Sequence, residues 1–153
     1  MAIKITADLI RKLRDESGAP VMRVKQVLEA EGDEAKALAI LKKEGFEKVA
    51  KREGRETTAG MVFSYTHHSG KVAVLVELLS ETDFVARNEL FSELGKNLCL
   101  QITSMAPVDV KDLLDQEFIK DPSQKVNDLV ASVIAKTGEN VKVSRFSRLE
   151  IGK

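Results

Sequence analysis

Tryptophan is absent from this chain, tyrosine and cysteine occur once each, and aromatic residues make up only 5% of its 153 positions. So few flat rings leave little for stacking on sugars or nucleobases. The single thiol, Cys99, cannot close an internal disulfide, and without a second cysteine it cannot found a Cys-rich metal site. Set between Leu98 and Leu100 in a helical pattern, it reads as a small buried apolar side chain. Net charge is missing as well. Basic and acidic residues number 24 each, and the first 56 residues hold 13 and 11 of them. Neither part has the positive excess that a phosphate backbone demands, so nucleic acid is not expected as a direct partner. No apolar run approaches the roughly 20 residues that cross a bilayer, so no membrane contact is expected. The opening MAIKITADLIRKL carries charges through its apolar positions, unlike a signal peptide. A cytoplasmic protein is the expectation.

Chemical motifs are also scarce. The nine glycines are scattered as helix stops and turns, with no glycine-rich phosphate loop. No serine sits in a nucleophile elbow, and no His–Glu pair has zinc-ligand spacing. His67 and His68 are adjacent, but in an extended segment neighbours point to opposite faces, so a solvated turn is expected there rather than a metal site. Glu77, Glu81 and Asp83 lie close in sequence, but the two glutamates flank an apolar strand with no sugar-binding aromatics beside them. A binding protein is therefore expected rather than an enzyme, with no cofactor.

What is present divides into a helical front and a mixed remainder. Thr6 can cap a helix whose Leu9, Ile10 and Leu13 share a face, and Ser17-Gly18 stops it. Pro20 suits the first turn of a second helix ending at Gly32, with Val21, Val24 and Leu28 as its inward face. Asp33 caps a third helix, which Gly45 is expected to close. Residues 1–46 thus form a three-helix module, residues 47–58 a charged, solvated linker helix, and residues 59–153 an α+β core. In that core, Gly60–Thr66 and the apolar run Val72–Leu79 should pair as a hairpin, the latter buried on both faces. Phe91, Leu94, Leu98 and Ile102, with Leu90 and Met105 widening the stripe, mark a helix capped by Asn88 and closed by Pro107. Val108–Asp115 is a short helix or surface turn. Asp121-Pro122-Ser123 should introduce another helix, buried through Val126, Leu129, Val130, Val133 and Ile134 and ending at Gly138. Alternation from Asn140 to Ile151 sets Val141, Val143 and Arg145 against Lys142, Ser144 and Phe146, an edge-like third strand. The expected fold class is α+β, a three-stranded antiparallel sheet covered by helices.

Two spots resist a purely structural account. After the apolar run comes the polar corner Ser80-Glu81-Thr82-Asp83 and then Phe84, a ring that must either fold into the core or meet a partner. Asp83 as a cap with Phe84 as a core staple is the bland alternative. In the second helix Met22 points away from the inward face, with Val21 close by and Arg14, Arg23 and Lys25 around it in sequence. An exposed flexible apolar side chain ringed by charge suits protein docking, and packing on the following segment is the other reading.

The segments Leu13-Arg14 to Ser17-Gly18-Ala19, Gly32 to Ala37 and Leu41 to Gly45 resemble the N-terminal, ubiquitin-associated-like module of the elongation factor Ts family. Val74-Leu75-Val76-Glu77 with Glu81 to Asn88 is similar to that family's most specific signature. Phe118 to Ser123, Ile134 to Asn140 and Arg145-Phe146 match in the same order. The resemblance implies guanine-nucleotide exchange on elongation factor Tu, in its GDP-bound and nucleotide-free forms. By it, the first module docks on that GTPase through Arg14, Val21, Met22 and Lys25. Thr82, Asp83 and Phe84 reach helices near its magnesium and phosphate site. The family also implies a homodimer paired through its sheets. A plain docking adaptor without exchange activity is the alternative. The chain departs from the family at Pro20-Val21-Met22-Arg23-Val24, where Gly-Met-Met-Asp-Cys/Val is more usual. It is also short between Met105-Ala106-Pro107 and Gln116-Glu117-Phe118, where most relatives carry a long stretch of helices.

Overall fold

A computed structural model describes residues 3–153. Three helices open the chain: α1 (Ala7–Ser17), α2 (Val21–Glu31) and α3 (Glu34–Arg52). The Thr6 hydroxyl accepts from the Leu9 amide and the Asp33 carboxylate from that of Lys36, satisfying donors a helix start leaves open. Leu13, Val24, Val27, Leu28, Ala37 and Leu41 close the small core of this unit. Val21 is not part of it; Val27 takes the inward place, and Val21 stays largely exposed at the first position of α2.

The expected stop at Gly45 does not occur. α3 runs seven residues further, to Arg52, and takes up the front of the expected linker. A mid-helix glycine costs about 1 kcal/mol against alanine, but the residues that follow it are held against the rest of the fold. A Cβ on Gly45 would lie 3.9 Å from both the Ala135 Cβ and the Ser17 carbonyl. Val49, one turn further on, packs against the second core, so this stretch is not wholly solvated. Arg52 donates to the Ile134 carbonyl at 3.2 Å. At the other contact between the units, Gly18 (φ 71°) caps α1 so near Lys136 that a Cβ there would stand 2.8 Å from its Cγ. Gly18 therefore serves both the left-handed cap and the close approach.

The remaining chain is α+β: β1 (Ala59–Thr66), β2 (Val72–Ser80), α4 (Asp83–Ala86), α5 (Glu89–Met105), α6 (Val110–Asp115), β3 (Glu117–Phe118), β4 (Asp121–Lys125), α7 (Val126–Thr137) and β5 (Val141–Glu150). An antiparallel sheet in the order β1-β2-β5 packs one face on α5 and α7, around Val74, Val76, Leu78, Phe91, Leu98, Ile102 and Val130. Met105 is not in that stripe, being half exposed at the end of α5. Cys99 is buried, and loss of solvation pushes its thiol up to about 11.

Three expectations change here. β2 is covered on one face only: Val74, Val76 and Leu78 are buried, whereas Leu75 is exposed between them. An apolar run interrupted only by Glu77 therefore accompanies here an open second face rather than a second covering layer. The alternation in β5 breaks at Ser144. Glu77 pairs with Arg145 but Leu78 with Val143, so one extra residue bulges out. Val141 and Val143 thereby share the core face with Phe146 instead of opposing it. Finally, Asp121-Pro122-Ser123 starts no helix. It forms β4, hairpin partner of β3, and helix α7 begins only at Val126. Wholly buried Gln101 holds this hairpin, donating to the Glu117 carbonyl at 3.0 Å and accepting from the Ile119 amide at 2.9 Å.

Candidate functional site

The corner after β2 is built to hold one helical turn. Ser80, fully buried, donates its hydroxyl to the Thr82 carbonyl at 2.9 Å. Thr82, not Asp83, is the N-cap of α4, its hydroxyl oxygen facing the Val85 amide at 3.5 Å. Val85 and Ala86 are buried in the core. Because α4 is four residues long, burying its last two fixes the direction of its first two, which face outward.

Phe84 is 90% exposed. That removes the core-staple alternative. Asp83 is exposed beside it, and its side chain has no hydrogen-bond or ion-pair partner among the described residues. A solvent-facing ring with a free carboxylate, carried on a buried anchor, offers apolar area and a charged hydrogen-bond acceptor to another molecule.

The second spot lies on the helical module. Met22 is 66% exposed, and Val21 is exposed beside it at the start of α2. Of the basic residues expected around them, Arg23 turns to α3, where its guanidinium forms two bonds with Glu44 and holds that carboxyl below its ordinary value. Lys25 lies 3.8 Å from Glu29 on its own helix, and Arg14 is exposed in the last turn of α1. The sequence-predicted residues thus fall into two groups, Arg14, Val21, Met22 and Lys25 on the module and Thr82, Asp83 and Phe84 on the core.

His67 and His68 occupy the β1–β2 turn, and their rings lie side by side, centroids 4.0 Å apart and planes tilted by 37°, instead of diverging. The turn is not extended, so the opposite-face rule does not apply to it; His67 Nδ1 bonds Ser69 within the turn at 2.7 Å. Among the described residues no three His, Cys, Asp or Glu side chains group as a metal site would require. No helix among them is long and apolar enough to cross a membrane. The open grooves between α3 and α7, lined by Phe46, Ala131 and others, include neither Asp83 nor Phe84. Residues that sequence reasoning missed are Glu81, Glu139 and Asn140, which secure the corner from across the fold. In the sequence Glu81 is visible only as part of the polar corner, and Glu139 and Asn140 only within a family-like segment, with no sign of the bonds they make.

Fold and site together define an α+β protein that presents an exposed aromatic corner and, separately, exposed apolar side chains at the start of α2. A family model described as Elongation factor TS matches residues 81–153. Proteins called elongation factor Ts from Fervidobacterium nodosum (38% identical, covering 99% of this chain and 100% of that protein) and Leptospira biflexa (38%, 97% and 98%) are similar along their whole length. So is the one from Thermotoga neapolitana, at 37% identity over 99% of each chain. The chain belongs to the elongation factor Ts family of translation elongation factors. The Fervidobacterium alignment spans 197 residues, more than the 153 present here, so that relative carries residues this chain lacks.

Proposed function

We propose that this protein is a cytoplasmic guanine-nucleotide exchange factor for elongation factor Tu, and that Asp83 and Phe84 act on it near its magnesium and phosphate site. The observation that carries this reading is the 90% exposed ring of Phe84 on a turn whose next two residues are buried. A partner that binds the nucleotide-free form more tightly than the GDP form must weaken GDP by the same factor. Met22, with Val21, supplies a first contact that does not depend on nucleotide, and Phe84 supplies the contact that does. The protein adds no group to the nucleotide; it changes only which form of its partner is favoured.

Preloading elongation factor Tu with fluorescent GDP and adding this protein with excess unlabelled nucleotide should accelerate loss of signal until the rate saturates. Binding with unchanged release would leave a docking adaptor, and the exchange reading would fall.

The same reading includes a homodimer joined through the open sheet face. Val62, Leu75 and Leu149 lie on that face by register, and Leu149 is 74% exposed. Glu77 and Arg145 pair across the strands among them, leaving a patch with an apolar centre and a charge pair at its side. A two-fold axis through such a patch sets like against like, as an isologous contact requires. Leu75→Arg is then expected to convert a dimer into a monomer by size-exclusion chromatography with light scattering. A parent chain that already elutes as a monomer at micromolar concentration would refute this part.

A further inference from the structure

Resting on the exchange reading, we infer that Glu139 is a positioning residue for the Thr82-Asp83-Phe84 corner, holding the exposed ring at one orientation from 57 residues away. The Glu139 carboxylate accepts twice from Thr82: from the backbone amide at 2.9 Å and from the hydroxyl at 2.7 Å. Because the hydroxyl proton goes to Glu139, its oxygen lone pairs are left for the Val85 amide, the capping bond of α4. The chain Val85 N–H to Thr82 O–H to carboxylate is polarised in one direction, and each bond strengthens the next. α4 has only four residues and cannot hold a helical turn by itself.

The exchange is reciprocal. Glu81 accepts from the Asn140 amide at 2.7 Å and lies 3.6 Å from Arg55. The Asn140 side chain, buried, donates to the carbonyls of Arg55 at 2.9 Å and Glu53 at 3.3 Å. Two adjacent residues on each side thus trade a carboxylate for an amide, and the chain leaving α3 is fastened to the same knot. Glu139 is itself placed by the end of α7, where Gly138 donates to the Ile134 carbonyl. It contributes nothing to the apolar core, so its loss frees the corner without opening a cavity.

The test compares the parent chain with Glu139→Ala and Glu139→Gln. For Glu139→Ala the maximal rate of GDP release from elongation factor Tu should fall about five- to tenfold, less than the roughly hundredfold that a 1 Å misplacement of a working group can cost, because Val85 and Ala86 still anchor the turn. The concentration giving half that rate should change less, since Met22 and Val21 are untouched. Amide hydrogen exchange at Thr82 and Val85 should quicken while that of Val74, Val76 and Leu78 stays protected. Glu139→Gln keeps one carbonyl oxygen for the Thr82 amide and should restore part of both losses. A parental maximal rate with unaltered exchange at Thr82 and Val85 overturns the inference. Loss of protection throughout β2 overturns it too, because Glu139 would then be serving general stability. If the parent itself fails to accelerate GDP release, the exchange reading falls separately, and the amide measurements still decide whether Glu139 holds the corner.

Discussion

Phe84→Ala is expected to lower the acceleration of GDP release from elongation factor Tu about ten- to a hundredfold, the equivalent of losing one fully enclosed aromatic side chain. Its effect on the unfolding free energy should stay within about 0.5 kcal/mol, the ordinary range for a surface substitution. The two halves of this result come from one fact. The ring is 90% exposed in the free protein, so truncation removes almost no internal contact, while Val85 and Ala86 keep the turn anchored. Any enclosure of the ring must be supplied by a partner. Stopped-flow release of fluorescent GDP measures the first half and urea denaturation the second. A variant that unfolds early, or one that exchanges at the parental rate, contradicts the assignment of Phe84.

Gly95→Ala should destabilise the protein by about 1–3 kcal/mol, the typical cost of overpacking a filled interior. Helix propensity alone favours alanine by about 1 kcal/mol in the middle of a helix such as α5, so the predicted sign is the reverse of the propensity rule. The reason is Phe63 of β1. Three atoms of its ring, the Cγ among them, would stand 2.3–2.4 Å from a Cβ at position 95. The ring cannot swing clear easily, because it also leans on Phe91 with centroids 5.9 Å apart. Gly95 is thus where α5 leaves room for the Phe63 ring of the sheet. Gly45→Ala is the natural control, since its Cβ would meet only ordinary contacts at 3.9 Å and should be neutral or stabilising. Denaturation midpoints of the two variants, with unchanged slopes, check the pair. Adding Phe63→Leu to Gly95→Ala should recover part of the loss, a coupling that independent sites would not show.

Much of this architecture can be read from local signals. Thr6, Asp33 and Asn88 cap their helices because a short polar side chain meets an open backbone amide within three residues, an interaction that needs nothing from the rest of the chain. Gly45 misleads for the opposite reason. The helix continues past it because Val49 meets the second core and Arg52 the Ile134 carbonyl, partners that no local window contains. The open face of β2 is hidden in the same way, since Leu75 has the same apolar character as its buried neighbours. The bulge at Ser144 follows from register against β2, and Asp121-Pro122-Ser123 from the hold of Gln101 on its hairpin. At the site, Phe84 could be singled out but not oriented. Its outward direction depends on Val85 and Ala86 finding the core, and on Glu139 reaching Thr82.

The uninterrupted run of α3 through Gly45 has a consequence for selectivity. At 1.5 Å per residue its 19 residues form a strut about 28 Å long, pinned by Arg52 to the end of α7 and followed at once by the knot around Asn140. On the exchange reading, Met22 and Phe84 then act as the two jaws of a caliper, one on the helical unit and one on the core that α3 joins to it. Such a tool tests its target by span as well as by chemistry. A GTPase with suitable pockets at the wrong separation would engage one jaw and miss the other, and only the correctly spaced one would gain from both.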